Sequence, residues 1–140
     1  ETIFQISKKC YENSIYKLCI SNPCFEIWLI LHFFDLETSL QDCIPGNPEV
    51  SSLKDYIKNQ YIKKRPKICK KLWHIIYQSQ KQPSYEKMLE YIPQAISRAK
   101  IIGECHPNDP DYPEHKIGTE IYKLLEKLTQ LTQMSMNLES

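Results

Sequence analysis

Apolar positions are densest between Ser21 and Phe34, where eleven of fourteen residues are apolar or proline when His32 is counted with the aromatic positions. The two residues that begin this stretch are N-cap types, and Pro23 suits a first helical turn because it lacks the N–H that would be left unpaired there. The residues that follow are apolar on every side of a helix, which predicts a central core helix. At about a dozen residues this helix is too short to span a bilayer, which needs roughly 20.

Glu26 is the polar position inside this core helix. Burying an unpaired charge is costly, so Glu26 should have a cation, a metal ion or several hydrogen-bond donors beside it. The N-terminus of a helix also favours a negative charge. Two roles remain open: a metal ligand, or a structural acid that pairs with a lysine, an arginine or nearby backbone N–H groups. A carboxylate that lies at the surface above its own helix is the simpler alternative.

The remaining pattern predicts a helix-rich α/β domain with one or two strands and about five helices. The short β-prone run from Ile15 to Ile20 leads directly into Ser21, so Ser21 and Glu26 should lie near the carboxyl edge of a sheet, where α/β proteins place their sites. The other predicted elements are a helix over 2–12, a loop from Phe34 to Pro48, a helix from Glu49, new helices opened by Pro66 and by Pro83 with a kink or split at Pro93, an exposed loop over 103–118, and a last helix from Thr119 to Met134 with fraying over 135–140.

Composition fits one domain over residues 1–140. The formal net charge of +1 gives no global field toward nucleic acid or membrane. No transmembrane or signal segment is visible. Six cysteines occur without any C-x-x-C pair, which predicts reduced thiols in a cytoplasmic protein. Neither these cysteines nor the histidines of the loop over 103–118 have the usual spacing of zinc ligands, and His32 is read as a core histidine satisfied by a neighbour.

The densest charge lies between residues 63 and 71, where six of nine positions are basic. Such a run can follow a phosphate backbone, and Tyr61, Trp73 and Tyr77 nearby could stack on bases. The alternative is a solvated start of a helix. The basic residues are Lys63, Lys64, Arg65, Lys67, Lys70 and Lys71.

Two sequence blocks carry a resemblance to a known family. The first is SNPCFEIWLILHF from Ser21 to Phe33, and the second begins at Gly118-Thr119-Glu120 and continues through the last helix to Leu128. Between them lie a Tyr-x-Lys at 61–63 and an Ala-x-x-Arg-Ala at 95–99. In this order the blocks resemble the RloB-like family of phage-defence (abortive-infection) proteins, and the resemblance covers most of the chain.

That resemblance implies a Toprim-like nuclease that needs Mg²⁺, cleaves RNA or DNA and works beside an ATPase. The family's strand that ends in a Glu-Gly-Glu turn and its later strand that ends in an Asp-x-Asp pair are absent from this sequence. We therefore expect the chain to be the C-terminal portion of such a protein, with a partial Toprim-like core, inactive alone. By similarity to OLD-type nucleases, Ser21 and Glu26 would be catalytic and Glu26 a metal ligand. The alternative is a non-catalytic nucleic-acid-binding or assembly module, and a homo-oligomer is also possible.

Overall fold

The computed structural model describes residues 3–13, 18–80, 84–103 and 116–139, and the side chains of residues 3, 4, 7 and 61–66 lie outside that description. The described residues are mainly helical and include a small antiparallel sheet of two strands, which confirms the helix-rich α/β prediction. In chain order the elements are α1 (Ile3–Glu12), β1 (Ser21–Asn22), α2 (Glu26–Leu31), α3 (Leu40–Cys43), α4 (Leu53–Gln80), α5 (Tyr85–Glu90), α6 (Ile92–Ile102), β2 (Gly118–Thr119) and α7 (Ile121–Glu139).

The short helix α2 lies at the centre of the fold, as its all-round apolar pattern predicts. It packs against α4, α6 and both strands. Trp28 is only 5% exposed, and Ile27, Ile30 and Leu31 are fully buried. The small residues Ala95 and Ala99 of α6 are fully buried as well, and they allow that helix to approach closely.

The start of α2 differs from the prediction. Ser21 and Asn22 do not cap the helix, because their backbone is paired antiparallel with Thr119 and Gly118 in the sheet. The helix begins at Glu26, with Phe25 at the cap position and no side-chain cap. Within the predicted strand over 15–20, residues 15–17 lie outside the described part of the chain, and 18–20 are not in a strand.

Helix α4 runs without a break from Leu53 to Gln80, so the prediction of a new helix at Pro66 is wrong. A proline inside a helix removes one hydrogen bond and costs about 3 kcal/mol or more. Six fully or almost fully buried side chains on one face of α4 outweigh this cost, since each contributes roughly 1.5–3 kcal/mol. They are Leu53, Ile57, Ile68, Leu72, Ile75 and Ile76.

The predicted split at Pro93 is confirmed, because Tyr91 separates α5 from α6 and the proline occupies the first turn of α6. Gly103 ends α6 with φ of +92°, a conformation that suits glycine.

The last helix begins at Ile121 rather than Thr119 and continues to Glu139, so the predicted fraying is wrong over 135–139. The loop predicted over 34–48 contains α3. Most of the loop predicted over 103–118, including both of its histidines, lies outside the described residues.

Candidate functional site

The sheet joins the two sequence blocks that carry the family resemblance. Ser21 of the first block pairs with Thr119 of the second, and their hydroxyl groups form a hydrogen bond of 2.7 Å. The buried amide of Asn22 donates to the carbonyl of Lys116 at 2.7 Å. Through these contacts the two blocks, about a hundred residues apart in sequence, form one sheet.

Glu120 is a buried carboxylate beside this sheet, with only 4% of the residue exposed. One oxygen accepts from the backbone N–H of Ile20 at 3.2 Å, and the other forms an ion pair of 2.8 Å with Lys123. The backbone N–H of Glu120 in turn donates to the carbonyl of Ile20 at 2.8 Å. Every charge and donor at this position therefore has a partner, and Glu120 holds the start of α7 against the chain before β1. Our sequence analysis did not name Glu120 as a site residue, although its place in the second family block could have indicated that it has a role there.

The sequence-predicted acid, Glu26, has an unexpected environment. Its carboxylate lies with the thiols of Cys24 and Cys69, and the ligand atoms of all three residues are within 4.8 Å of one another. All three residues are half-buried. None of the described lysine and arginine side chains forms an ion pair with Glu26. Burial raises the pKa of the Cys24 thiol well above its usual range, and hydrogen bonds to Cys69 and Glu26 and the charge of Glu26 raise this pKa further.

The two predicted catalytic residues have different partners. The hydroxyl of Ser21 is engaged by Thr119 in the sheet, whereas Glu26 lies at the contact between α2 and α4. The donors around Glu26 also do not fit Mg²⁺, a hard cation that takes oxygen ligands. Two thiols and one carboxylate form a softer donor set. Mg²⁺ binding at Glu26 thus stays a prediction that requires further carboxylates.

The prediction that His32 is a core histidine with a neighbouring hydrogen-bond partner is confirmed. His32 is 4% exposed, and its Nδ1–H donates to the carbonyl of Trp28 at 2.9 Å. Burial lowers the pKa of His32, so its neutral form is favoured. Arg98, in the Ala-x-x-Arg-Ala pattern, donates to the carbonyl of Leu31 at 2.7 Å and satisfies the C-terminal end of α2.

The basic run lies across the middle of α4. Lys67 and Lys70 are exposed, and Lys71 is half-buried with its ammonium group donating to Gln60. The side chains of Lys63, Lys64 and Arg65 lie outside the described residues. Trp73 and Tyr77 continue the exposed face and are 43% and 45% exposed.

Spacing places these residues on one surface of α4. Steps of three and four residues connect Lys67 to Lys70, Lys70 to Trp73, and Trp73 to Tyr77, so neighbours in this series lie one above the other on the helix. We call Lys67, Lys70, Trp73 and Tyr77 the α4 stripe. It combines two cationic side chains with two exposed aromatic rings.

The comparison with protein families agrees with the two sequence blocks. The family model described as RloB-like protein matches residues 3–128, which is most of the chain. The chain belongs to the RloB-like family. No curated protein and no solved structure matches it. None of the described helices of this RloB-like chain is both long enough and apolar enough to cross a membrane.

Proposed function

We propose that this RloB-like chain binds nucleic acid along the α4 stripe and acts in a phage-defence protein that cleaves RNA or DNA. The observation that carries this proposal is that two exposed lysines are followed by two exposed aromatic residues on one helix face. Proteins that hold single strands combine cationic groups that follow the backbone with aromatic rings on which bases stack.

The aromatic residues are what distinguish this face from an ordinary solvated helix. Lysines are commonly exposed, and Lys67 and Lys70 alone would be typical of any protein surface. Trp73 and Tyr77 expose almost half of their surface beside those lysines. Stacking of a base on such a ring contributes about 1–3 kcal/mol to binding, which gives two exposed aromatic side chains a function.

The charge balance indicates a local contact rather than a long electrostatic track. With a formal net charge of +1 the chain as a whole attracts phosphate weakly. Binding should therefore depend on this face, with a modest dependence on salt. Each phosphate contact to a single strand contributes a slope of about 0.7 in the logarithm of affinity against the logarithm of salt concentration.

Cleavage is the part of the proposal that rests on the family resemblance. A Toprim-like mechanism would use Mg²⁺ held by several carboxylates, and such an ion neutralises charge at the transferring phosphoryl group. The described donors around Glu26 do not match that ion, so we assign to this chain the binding and positioning of the strand. An ATPase partner and a cytoplasmic location belong to the same proposal. The second candidate is a non-catalytic nucleic-acid-binding or assembly module, which the α4 stripe would serve equally well.

The experiment is a binding and cleavage assay on single-stranded RNA and DNA with two charge-reversal pairs. Lys67→Glu with Lys70→Glu should weaken binding and reduce the salt slope by roughly 1.4, at about 0.7 for each lost contact. The control pair, Lys87→Glu with Lys127→Glu, makes the same charge change at exposed positions of α5 and α7.

Equal effects of the two pairs would show that only net charge matters and would remove the α4 stripe from the site. Cleavage by the protein with its ATPase partner, lost in the first pair and kept in the second, would favour the nuclease. Binding of the same specificity without cleavage would favour the non-catalytic module.

A further inference from the structure

The cluster of Cys24, Glu26 and Cys69 has the composition of a site for a transition metal. Two thiols and one carboxylate converge from two parts of the chain that are far apart in sequence. Cys24 lies in the turn before α2, Glu26 is the first residue of α2, and Cys69 lies in the middle of α4. Among the described residues this is the one group of three such side chains close enough to share an ion.

We propose that Cys24, Cys69 and Glu26 bind a Zn²⁺ ion that links the start of α2 to α4. Thiolate sulfur and carboxylate oxygen are both zinc ligands, at about 2.3 Å and 2.0–2.2 Å from the ion. Tetrahedral geometry at those lengths separates ligand atoms by roughly 3.5 Å. The three atoms are within 4.8 Å of one another, so they need to approach by at most about 1.3 Å to reach that separation.

The ligand set selects the kind of ion. Thiolates favour zinc and other soft or borderline ions, whereas Mg²⁺ prefers oxygen in an octahedral arrangement. Three protein ligands leave the fourth position of a tetrahedral zinc ion for water or another donor. The bound species is therefore a divalent zinc ion with two sulfur ligands, one carboxylate oxygen and one exchangeable ligand.

The position of the cluster gives the ion a structural consequence. Cys69 lies between Lys67 and Lys70 in sequence, while Cys24 and Glu26 belong to the segment that forms the core helix. A metal ion at this point would fix the α4 stripe relative to the centre of the fold. The zinc site rests on its own geometry and does not depend on the proposed nucleic-acid contact.

The test is a titration of the reduced, metal-free full chain with Zn²⁺ and with Co²⁺. The wild-type protein should bind one Co²⁺ with thiolate-to-metal charge-transfer absorption and the strong visible bands of tetrahedral cobalt, and Zn²⁺ should displace it. Cys24→Ser and Cys69→Ser should each remove part of the charge-transfer absorption. Each should weaken binding by more than the roughly 10–100-fold typical for loss of a residue that only supports a ligand. Glu26→Gln should weaken binding while it keeps the sulfur absorption.

The matched control is Cys10→Ser, which removes a half-buried thiol from α1 and should leave the titration unchanged. X-ray absorption on the wild-type zinc protein avoids reliance on variants that fold poorly, and it should find two sulfur and two lighter scatterers. Any of three results would overturn the proposal: no sulfur absorption with Co²⁺, the same loss in Cys10→Ser, or a shell of oxygen and nitrogen only. A disulfide between Cys24 and Cys69 that resists reduction and excludes metal would overturn it as well.

Discussion

Replacement of Trp28 by alanine tests whether α2 is the centre of the fold. The Trp28 ring is 5% exposed and meets the His32 ring edge to face, with centroids 4.9 Å apart and an interplanar angle of 81°. Removal of a buried tryptophan costs about 3–5 kcal/mol, because apolar contacts are lost and a cavity remains. Edge-to-face aromatic pairs contribute about 0.5–1.5 kcal/mol beyond burial, which places this site toward the upper part of that range.

Phe25 provides a matched control on the same segment. It lies three residues before Trp28 and is 52% exposed, so Phe25→Ala should lose about half of the roughly 1.5–3 kcal/mol that full burial contributes. The two substitutions therefore differ by several kcal/mol although both remove an aromatic ring from one short stretch. That difference is a large part of the roughly 5–15 kcal/mol that stabilises a typical domain.

The assay is equilibrium unfolding of each variant in urea. Trp28→Ala should lower the transition midpoint strongly with little change in the slope, and Phe25→Ala should lower it slightly. In thermal unfolding, a protein of this size should lose roughly 2–4 °C for each kcal/mol. A melting temperature only a degree or two lower in Trp28→Ala, or equal losses in the two variants, would refute the central position of α2.

Three further predictions concern the polar groups of the core. Because burial lowers the pKa of His32, the unfolded chain binds a proton at this histidine more readily than the folded chain does. The free energy of unfolding should therefore fall as the pH drops below about 6.5, the usual pKa of histidine, toward the folded-state pKa. His32→Gln should flatten this part of the plot of urea unfolding midpoint against pH. Arg98→Met removes the 2.7 Å hydrogen bond to the carbonyl of Leu31 and should cost about 1.5–3 kcal/mol in urea unfolding; equal stability would mean that water replaces the guanidinium. Glu120→Ala should cost a similar amount, because Lys123 and the backbone N–H of Ile20 lose a buried acceptor. Lys123→Ala should cost about 0.5 kcal/mol, because the Lys123 side chain is 36% exposed. A larger loss in Lys123→Ala than in Glu120→Ala in urea unfolding would contradict this assignment.

Burial was predictable where the apolar pattern is continuous. The residues of α2 are hydrophobic on every side, and the structure buries Trp28 and its neighbours as that pattern requires. The division at Pro93 was also predictable, since proline fits the first turn of a helix. Pro66 shows the limit of the same rule: burial of one face of α4 on both sides of this proline outweighs its local preference.

Contacts between distant segments were not predictable from local pattern. Ser21 and Asn22 are good helix caps by residue type, yet pairing with Thr119 and Gly118, nearly a hundred residues away, places them in a strand. The meeting of Cys69 with Cys24 and Glu26 likewise depends on how α4 packs against α2. No spacing rule for metal ligands includes such a pair, because the two cysteines are 45 residues apart.

The fluorescence of Trp73 gives the most direct measurement of the nucleic-acid contact on α4. The chain has two tryptophans, Trp28 in the core and Trp73 on the α4 stripe. In a Trp28→Phe variant that remains folded, Trp73 is the single reporter. A base that stacks on its ring should quench the emission as a single-stranded oligonucleotide is added, with the same midpoint as an independent binding assay. The companion variant Trp73→Phe, which keeps the buried Trp28, should show binding with little quenching. Binding of the oligonucleotide without any change in Trp73 emission would contradict the proposed contact.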